Sequence, residues 1–219
     1  MDWELFRSSF WPILRGGLTG TIPLTLVSFV VGLTLALVLA LMRISGRRLL
    51  SGIARVYISL VRGTPLLVQL FVVFYGLPSI GVVIPPWPSA VIAFSLNVAG
   101  YAAEILRAAI LSVPKGQWEA GHTIGMSRRR TLRRIILPQA ARVSVPPLSN
   151  TFISLVKDTS LASLILVTEL FREAQQIAAF SREFMFLYLE AALIYWVFCF
   201  VLAAGQGALE KRLDRYVIH

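Results

Sequence analysis

The chain has 219 residues, of which 57% are hydrophobic and only 15% are charged, and its mean hydropathy is +0.74. A soluble globular domain carries about a quarter charged residues, so this composition excludes an ordinary soluble protein. It indicates a single integral membrane domain with no separate soluble domain. The formal net charge of +10 would suggest a nucleic-acid partner in a soluble protein. Here the charges lie at the ends of apolar runs, which is typical of membrane orientation instead.

Five apolar runs are long enough to cross a bilayer, which takes about 20 helical residues. The second run contains Arg62-Gly63-Thr64-Pro65 and is expected to bend or break there, because proline removes a backbone donor. An amphipathic piece, residues 161–179, is expected to run along or back into the membrane surface. The predicted spans are residues 17–42, 53–80, 89–113, 138–156 and 184–207.

Basic residues are distributed unevenly between the two sides that five spans define. One side receives Arg43, Arg47, Arg48, Arg55, Lys115, Arg128, Arg129, Arg130, Arg133, Arg134, Lys211, Arg212 and Arg215. The other side receives few basic residues, and acidic neighbours partly offset them. Because positive charge concentrates on the cytoplasmic side, the N-terminus is predicted outside and the C-terminus in the cytoplasm.

The segment between the third and fourth runs, EAGHTIGMSRRRTLRRIILP, carries the most specific pattern of the chain. Orientation alone would explain its arginines but not its spacing of small and apolar residues. The positions that set the pattern are Glu119, Ala120, Gly121, Gly125, Ile135, Leu137 and Pro138. The segment resembles the EAA loop of bacterial ABC importer permeases, in which Ala usually stands where this chain has Gly121.

That resemblance implies an all-α membrane protein with the type I ABC importer transmembrane fold and five transmembrane helices. It also implies that residues 115–137 form short cytoplasmic helices that dock in a cleft on an ATP-hydrolysing subunit. The residues assigned to this coupling are Glu119, Ala120, Gly121, Ile124, Gly125, Met126 and Arg130.

Further strings extend the resemblance to the polar amino-acid uptake branch of these permeases. Arg62-Gly63-Thr64-Pro65 is similar to the second span of that branch, and Pro138-Gln139-Ala140 to the fourth. The strings FISLVKDTSL and EILRAAI are most similar to permeases for cystine and related amino acids.

The expected partners follow from the resemblance and from one missing motif. The chain has no G-x-x-x-x-G-K-[ST] phosphate loop, so ATP and Mg²⁺ are expected on a separate ATPase and no cofactor on this chain. Two ATP-binding cassette subunits, a second permease copy, identical or homologous, and an extracytoplasmic solute-binding protein are implied. The expected location is the bacterial cytoplasmic (inner) membrane, as a multi-pass protein in the lipid bilayer, without nucleic acid.

Polar residues at membrane depth mark a candidate substrate path, because such groups are costly there and by default suggest function. Asn97, Tyr101 and Glu104 share one face of the third span at helical spacing. Asn150, Ser154 and Asp158 recur every four residues in the fourth span and also share a face. An amino-acid substrate would offer an ammonium to Glu104 or Asp158 and a carboxylate to Arg107 or Lys157.

Two pairs of these residues have competing structural explanations. Glu104 and Arg107 are at i, i+3 spacing and could neutralise each other between helices. Lys157 and Asp158 could mark the end of a span, where long side chains reach toward the interface. Asn150 is the more specific candidate, because it lies in the middle of an apolar run and needs a partner.

Two other classes of function compete with a transporter subunit. A membrane enzyme would need a nucleophile with a base, or a metal cluster, yet histidine is absent from every predicted span. A single cysteine, Cys199, and the two separated histidines do not predict a metal site. A stand-alone carrier or channel for small polar solutes usually shows repeated halves or a selectivity-filter string, and neither is evident.

Overall fold

The structure, a computed structural model, describes residues 3–214, which form helices joined by short connections. Single π-helical turns interrupt three of them, at Gly17–Thr21, Val72–Gly76 and Leu132–Ile136. The helices are α1 (Trp3–Ile44), α2 (Arg48–Gly63), α3 (Leu66–Ile80), α4 (Pro86–Ser112), α5 (Lys115–Thr123), α6 (Arg128–Ile165), α7 (Leu170–Ser181) and α8 (Phe184–Asp214).

Three of the described helices, α1, α4 and α8, are each long and apolar enough to cross a membrane. Up to five crossings result if two bent pairs each count as one span. In those pairs α3 turns by 106° from α2, and α7 turns by 48° from α6. These lengths are compatible with the five apolar runs, while the number of spans and the sides of the two termini remain predictions.

Helix α1 begins at Trp3, well before the first apolar run. Its early turns carry a stripe of small and apolar residues in which Ser9, Ile13 and Gly16 are all buried. These positions lie on one helical face, which packs against α7 and α8. Packing of this face therefore stabilises a helix at residues 3–16, where charged residues interrupt the sequence and no membrane span was predicted.

The central core lies between α1 and α4. A Cβ on Gly32 would lie 2.7 Å from Val98 Cβ and 2.8 Å from the carbonyl oxygen of Ser95. Only glycine therefore allows α4 to approach this closely. The Ser95 hydroxyl donates to the carbonyl of Ser28 at 3.2 Å, and further along Arg43 meets Glu104. The contacts follow the same residue order along both helices, so α1 and α4 are parallel. Two spans are parallel when one other span lies between them in the sequence.

The predicted break in the second run is present between α2 and α3. Thr64 and Pro65 are extended, and the chain turns there. The turn leaves carbonyls at the end of α2 without helical donors. Gln69 supplies one, because its Nε2 donates to the carbonyl of Val61 at 2.8 Å and to Thr64 Oγ1 at 2.9 Å. The break is thus a specified local structure in which polar groups have partners.

A buried carboxylate joins three helices at the start of α7. Glu169 is the N-cap of α7 and accepts hydrogen bonds from the backbone N–H groups of Phe171, at 3.0 Å, and Arg172, at 2.7 Å. The same carboxylate accepts from the hydroxyl of Tyr195 on α8 at 2.7 Å and from Thr21 on α1 at 3.3 Å. A Cβ on Gly20 would lie 2.7 Å from Glu169 Cα. Close glycine packing and hydrogen bonding therefore fix α1 against the α6–α7 bend.

Replacing Glu169 with Ala is expected to destabilise the protein by about 2–4 kcal/mol, because a cap is lost and buried donors are left unpaired. The measurement is the thermal unfolding midpoint of the purified protein in detergent. The matched control is Glu173→Gln, which removes a second carboxylate from the same helix without removing the cap. Equal midpoints for the two variants would show that the carboxylate of Glu169 does not stabilise this junction.

Candidate functional site: a coupling surface and a polar cavity

The segment that resembles an EAA loop folds into α5 and the first turn of α6. Helix α5 ends in a Schellman motif, in which the N–H of Met126 bonds to the carbonyl of Gly121 at 3.0 Å and that of Gly125 to His122 at 2.9 Å. Gly125 has φ +74°, a left-handed conformation that glycine adopts without a Cβ penalty. The glycine of the motif therefore stops α5 and turns the chain into α6.

Gly121 lies where α5 crosses the start of α6. A Cβ at Gly121 would lie 2.6 Å from Cγ2 and 2.7 Å from Oγ1 of Thr131, closer than non-bonded atoms approach. Both residues are buried. The departure from the usual Ala of the motif is thus explained by packing, because Thr131 occupies the space that a methyl group would need.

Helix α5 and the start of α6 pack against the ends of α1 and α4. Ile110 of α4 and Val113, the residue that caps α4, form one apolar cluster with Ile136 of α6, and Ile44 of α1 and Trp118 of α5 pack against it. Displacing α5 must therefore displace the ends of α1, α4 and α6. This arrangement can transmit a push from a bound partner to the membrane domain.

Most residues predicted to couple to an ATPase are exposed on the surface of the chain. Glu119, Ala120, Ile124, Gly125 and Arg130 are exposed, and the Ile124 side chain is 72% accessible. Met126 is half-buried in the cleft of about 1220 Å³ between α5 and the ends of α1 and α4. An exposed isoleucine beside a carboxylate and an arginine forms a surface suited to a protein partner. The role of these residues in coupling stays a prediction.

Replacing Gly121 with Ala is expected to shift α5 away from Thr131 at a cost of about 1–3 kcal/mol, enough to lower ATP-driven uptake roughly tenfold. Adding Thr131→Ala removes the two closest atoms and is expected to restore uptake, and Thr131→Ala alone is the control. The measurement is ATP-dependent uptake into proteoliposomes. Full activity of the Gly121→Ala single variant would contradict this account of the α5–α6 packing.

A polar cavity of about 410 Å³ lies between the α2–α3 break, α4 and α6. Five of the predicted path residues line it, together with Thr64, Pro65 and Leu66 of the break. Those five are Asn97, Tyr101, Asn150, Ser154 and Asp158. The two helical faces predicted from residue spacing therefore converge on one space.

The two asparagines of the cavity are oriented by glutamines. Asn97 Nδ2 donates to Gln69 Oε1 at 3.1 Å, which connects the cavity wall to the α2–α3 break. Asn150 Oδ1 accepts from Gln206 Nε2 of α8 at 3.2 Å. The partner that Asn150 requires is thus a side chain from the last helix.

One cation lies beside this cavity. The guanidinium carbon of Arg62 lies 5.5 Å from the ring centroid of Tyr101, a cation–π distance. Asp158 on α6 supplies a carboxylate to the lining of the same cavity. The cavity region therefore presents both signs of charge together with amide groups.

Glu104, Arg107 and Lys157 lie outside the cavity lining. Glu104 Oε2 accepts from Arg107 at 2.8 Å, and its Oε1 accepts from Arg43 of α1 at 3.3 Å. The ion pair between Glu104 and Arg107, which was the alternative to substrate contact, is therefore formed, and Arg43 is a second cation bound to the same carboxylate. Lys157 lines a different groove, of about 570 Å³, with Tyr195 and other residues of α7 and α8.

Sequence reasoning missed the residues that act from a distant helix, which are Arg43, Gln206, Thr21, Glu169 and Tyr195. Each is polar within or beside an apolar run, and that is the signal that could have singled them out. Their partners were not predictable from spacing, because each contact joins helices far apart in the sequence.

An apolar, helical domain with a sharply bent helix pair, a polar cavity and an exposed helical loop defines a membrane subunit of a transport complex. Residues 28–215 match the model of the family described as "Binding-protein-dependent transport system inner membrane component". The chain belongs to this family. It is thus a permease subunit in the inner membrane, and ATP hydrolysis resides on a separate subunit.

Curated relatives extend over nearly the whole chain. The L-cystine transport system permease protein TcyB of Bacillus subtilis (strain 168) is 62% identical over 218 residues, covering 99% of this chain and 93% of that protein. The probable amino-acid ABC transporter permease protein YckA of the same organism is 43% identical, covering 99% of this chain and 98% of that protein.

Solved structures establish the fold. A crystal structure of an amino acid ABC transporter with histidines superimposes with a TM-score of 0.91 at 32% identity, covering 97% of this chain and 99% of that chain. The MetNI methionine ABC transporter, in an inward facing conformation, gives 0.73 at 18% identity over 96% and 97% of the two chains, a likeness of fold alone. The predicted all-α fold of a type I ABC importer transmembrane domain is confirmed. Family membership also disfavours the stand-alone carrier.

Proposed function

We propose that the chain carries a polar amino acid through the cavity bounded by the α2–α3 break, α4 and α6, with cystine as the first candidate. The observation that supports this most is the convergence of Asn97, Asn150 and Asp158 on one space of about 410 Å³. The 62% identity to a permease named for L-cystine favours that substrate.

The groups around the cavity suit a zwitterion. The Asp158 carboxylate would hold the substrate ammonium, and Arg62, held over Tyr101, would hold the carboxylate by charge-assisted hydrogen bonds. The amides of Asn97 and Asn150 would accept and donate to the remaining polar groups. In this proposal Arg62 takes the place that the sequence had assigned to Arg107 or Lys157.

The complex that we propose contains two copies of this permease, identical or homologous, and two ATP-binding cassette subunits. ATP with Mg²⁺ binds the ATPases, and no cofactor binds this chain. A solute-binding protein delivers substrate on the outer side, where the N-terminus lies, and the C-terminus is cytoplasmic. ATP closes the ATPase pair, the α5 helices move together, and the cavity opens outward.

Replacing Asn150 with Leu is expected to weaken uptake without disturbing assembly, because the cavity loses an amide while Gln206 keeps two other acceptors, the carbonyl of Pro146 and the carboxylate of Glu210. Losing one hydrogen bond to a charged substrate costs about 1.5–3 kcal/mol, or roughly 10–100-fold in apparent affinity. The measurement is concentration-dependent uptake of radiolabelled cystine into proteoliposomes that contain the whole complex.

The matched control is Val143→Leu, an exposed α6 position two turns earlier, outside the cavity lining. Its uptake is expected to be unchanged. Unchanged uptake by Asn150→Leu itself would remove that residue from the path. Failure of the unsubstituted complex to transport cystine, with transport of another polar amino acid, would change the substrate and keep the cavity.

A further inference from the structure

The elbow between α1 and α2 contains a small basic cavity that adjoins the cleft beside α5, since Ser45 and Gly46 line both. Its volume is about 360 Å³. The space beside Gly46 and Gly52 is open, since a Cβ on either residue would have no atom within 4 Å. The residues that line it are Ser45, Gly46, Arg48, Ser51, Gly52 and Arg55.

The charged groups of this elbow cavity are positive and uncompensated. Arg48 and Arg55 are seven residues apart, which places both guanidinium groups on one face of α2. Both are exposed, and within residues 3–214 neither forms an ion pair. No carboxylate lines the cavity. A cavity walled by two guanidinium groups and two hydroxyls suits a phosphate, which guanidinium groups bind in a bidentate manner.

A second face of the same helix, about 120° around the helix axis from the two arginines, carries an apolar stripe. Leu49, Ile53, Val56 and Leu60 are at i, i+4, i+7 and i+11 spacing, and their exposed fractions are 75%, 53%, 60% and 63%. Because residues 53–80 are a predicted span, this stripe would face lipid acyl chains, while the two arginines at the start of α2 would lie at the headgroup boundary. The stripe offers contact to acyl chains next to a cavity that offers contact to phosphate.

The elbow lies at the membrane end that also carries α5. Ile44, which directly precedes it, packs in the apolar cluster formed by α4, α5 and α6. The Ser51 hydroxyl donates to the carbonyl of Arg43 at 3.3 Å, which ties the start of α2 to the end of α1. A molecule bound in the elbow would therefore contact the same helix end that α5 displaces.

We propose that the elbow cavity binds the phosphate of an anionic membrane phospholipid, whose acyl chains lie along the Leu49–Leu60 stripe. A free phosphate shares the headgroup chemistry but not the acyl contacts. Each arginine near a membrane surface contributes about fivefold to attraction of anionic lipid.

The test is native mass spectrometry of the delipidated whole complex after incubation with phosphatidylglycerol or phosphatidylcholine. The unsubstituted complex is expected to retain phosphatidylglycerol preferentially. The Arg48→Gln/Arg55→Gln variant is expected to retain it about 30-fold more weakly. The control, Lys211→Gln/Arg212→Gln, removes two exposed charges from the end of α8 and is expected to bind as the unsubstituted complex does.

Three results would overturn the proposal. One is equal retention of the two lipids by the unsubstituted complex, which needs no variant to fold. Another is retention of inorganic phosphate but not of phosphatidylglycerol by the unsubstituted complex, which would assign the site to a free anion. The third is loss of the ATPase subunits from Arg48→Gln/Arg55→Gln with lipid retention unchanged, which would make the elbow a protein-docking surface.

Discussion

Replacing Glu119 with Lys is expected to abolish ATP-driven uptake while leaving the protein folded and inserted. Glu119 is exposed on α5, and within the described residues its carboxylate has no hydrogen bond or ion pair. The fold therefore does not depend on this side chain. Any loss must come from a partner that the carboxylate contacts, and reversing a charge at such an interface costs about 2 kcal/mol or more, about 30-fold in affinity.

The measurement is co-purification of the ATPase subunits with tagged permease, together with uptake into proteoliposomes. The control is Gln117→Lys, which introduces the same ammonium group two residues earlier, on the other side of the short helix. That variant is expected to retain the ATPase. Normal uptake by Glu119→Lys would exclude the carboxylate from the docking surface.

Replacing Glu104 with Leu is expected to impair assembly severely, because it leaves Arg43 and Arg107, both largely buried, without their shared carboxylate. The Glu104 side chain is only 20% exposed, and its two ion-pair distances are 2.8 and 3.3 Å. Removing one partner of a buried ion pair typically costs about 3–5 kcal/mol, since a buried charge is left uncompensated. The measurement is the yield of monodisperse permease by size-exclusion chromatography.

A compensated variant distinguishes the two roles that the sequence left open for Glu104. Replacing Arg43 with Met, Glu104 with Leu and Arg107 with Met removes the whole charge cluster, and such apolar replacement is often neutral for stability. Assembly and uptake should both recover if the cluster only joins α1 to α4. Recovery of assembly without uptake would assign Glu104 or Arg107 to substrate. Normal yield of Glu104→Leu alone would contradict the stabilising role of the ion pairs.

The sequence was most informative where a shared helical face follows from the spacing of residues along one helix. Asn97 and Tyr101 are one turn apart, as are Asn150, Ser154 and Asp158, so shared faces could be predicted without a structure. Proline and glycine signals were informative for a similar local reason. Pro65 lies at the break between α2 and α3, and Gly125 ends α5 with a positive φ.

Contacts between distant helices were beyond this reasoning. Lys157 precedes Asp158, but adjacent residues on a helix point about 100° apart, so the two side chains line different cavities. Glu104 looked like a partner of Arg107 alone, and only the packing of α1 on α4 brings Arg43 to it. Glu169 gave no motif, since its partners Thr21 and Tyr195 lie on the first and last helices.

The most direct test of the central claim is the ATPase activity of the complex that co-purifies with this chain from its natural host. An ATPase subunit is expected to bind, and its hydrolysis rate in lipid nanodiscs is expected to rise only when a solute-binding protein and a polar amino acid are both present. Purification of the chain alone, with no ATPase bound under any condition, would contradict the coupling account and would favour a stand-alone carrier instead.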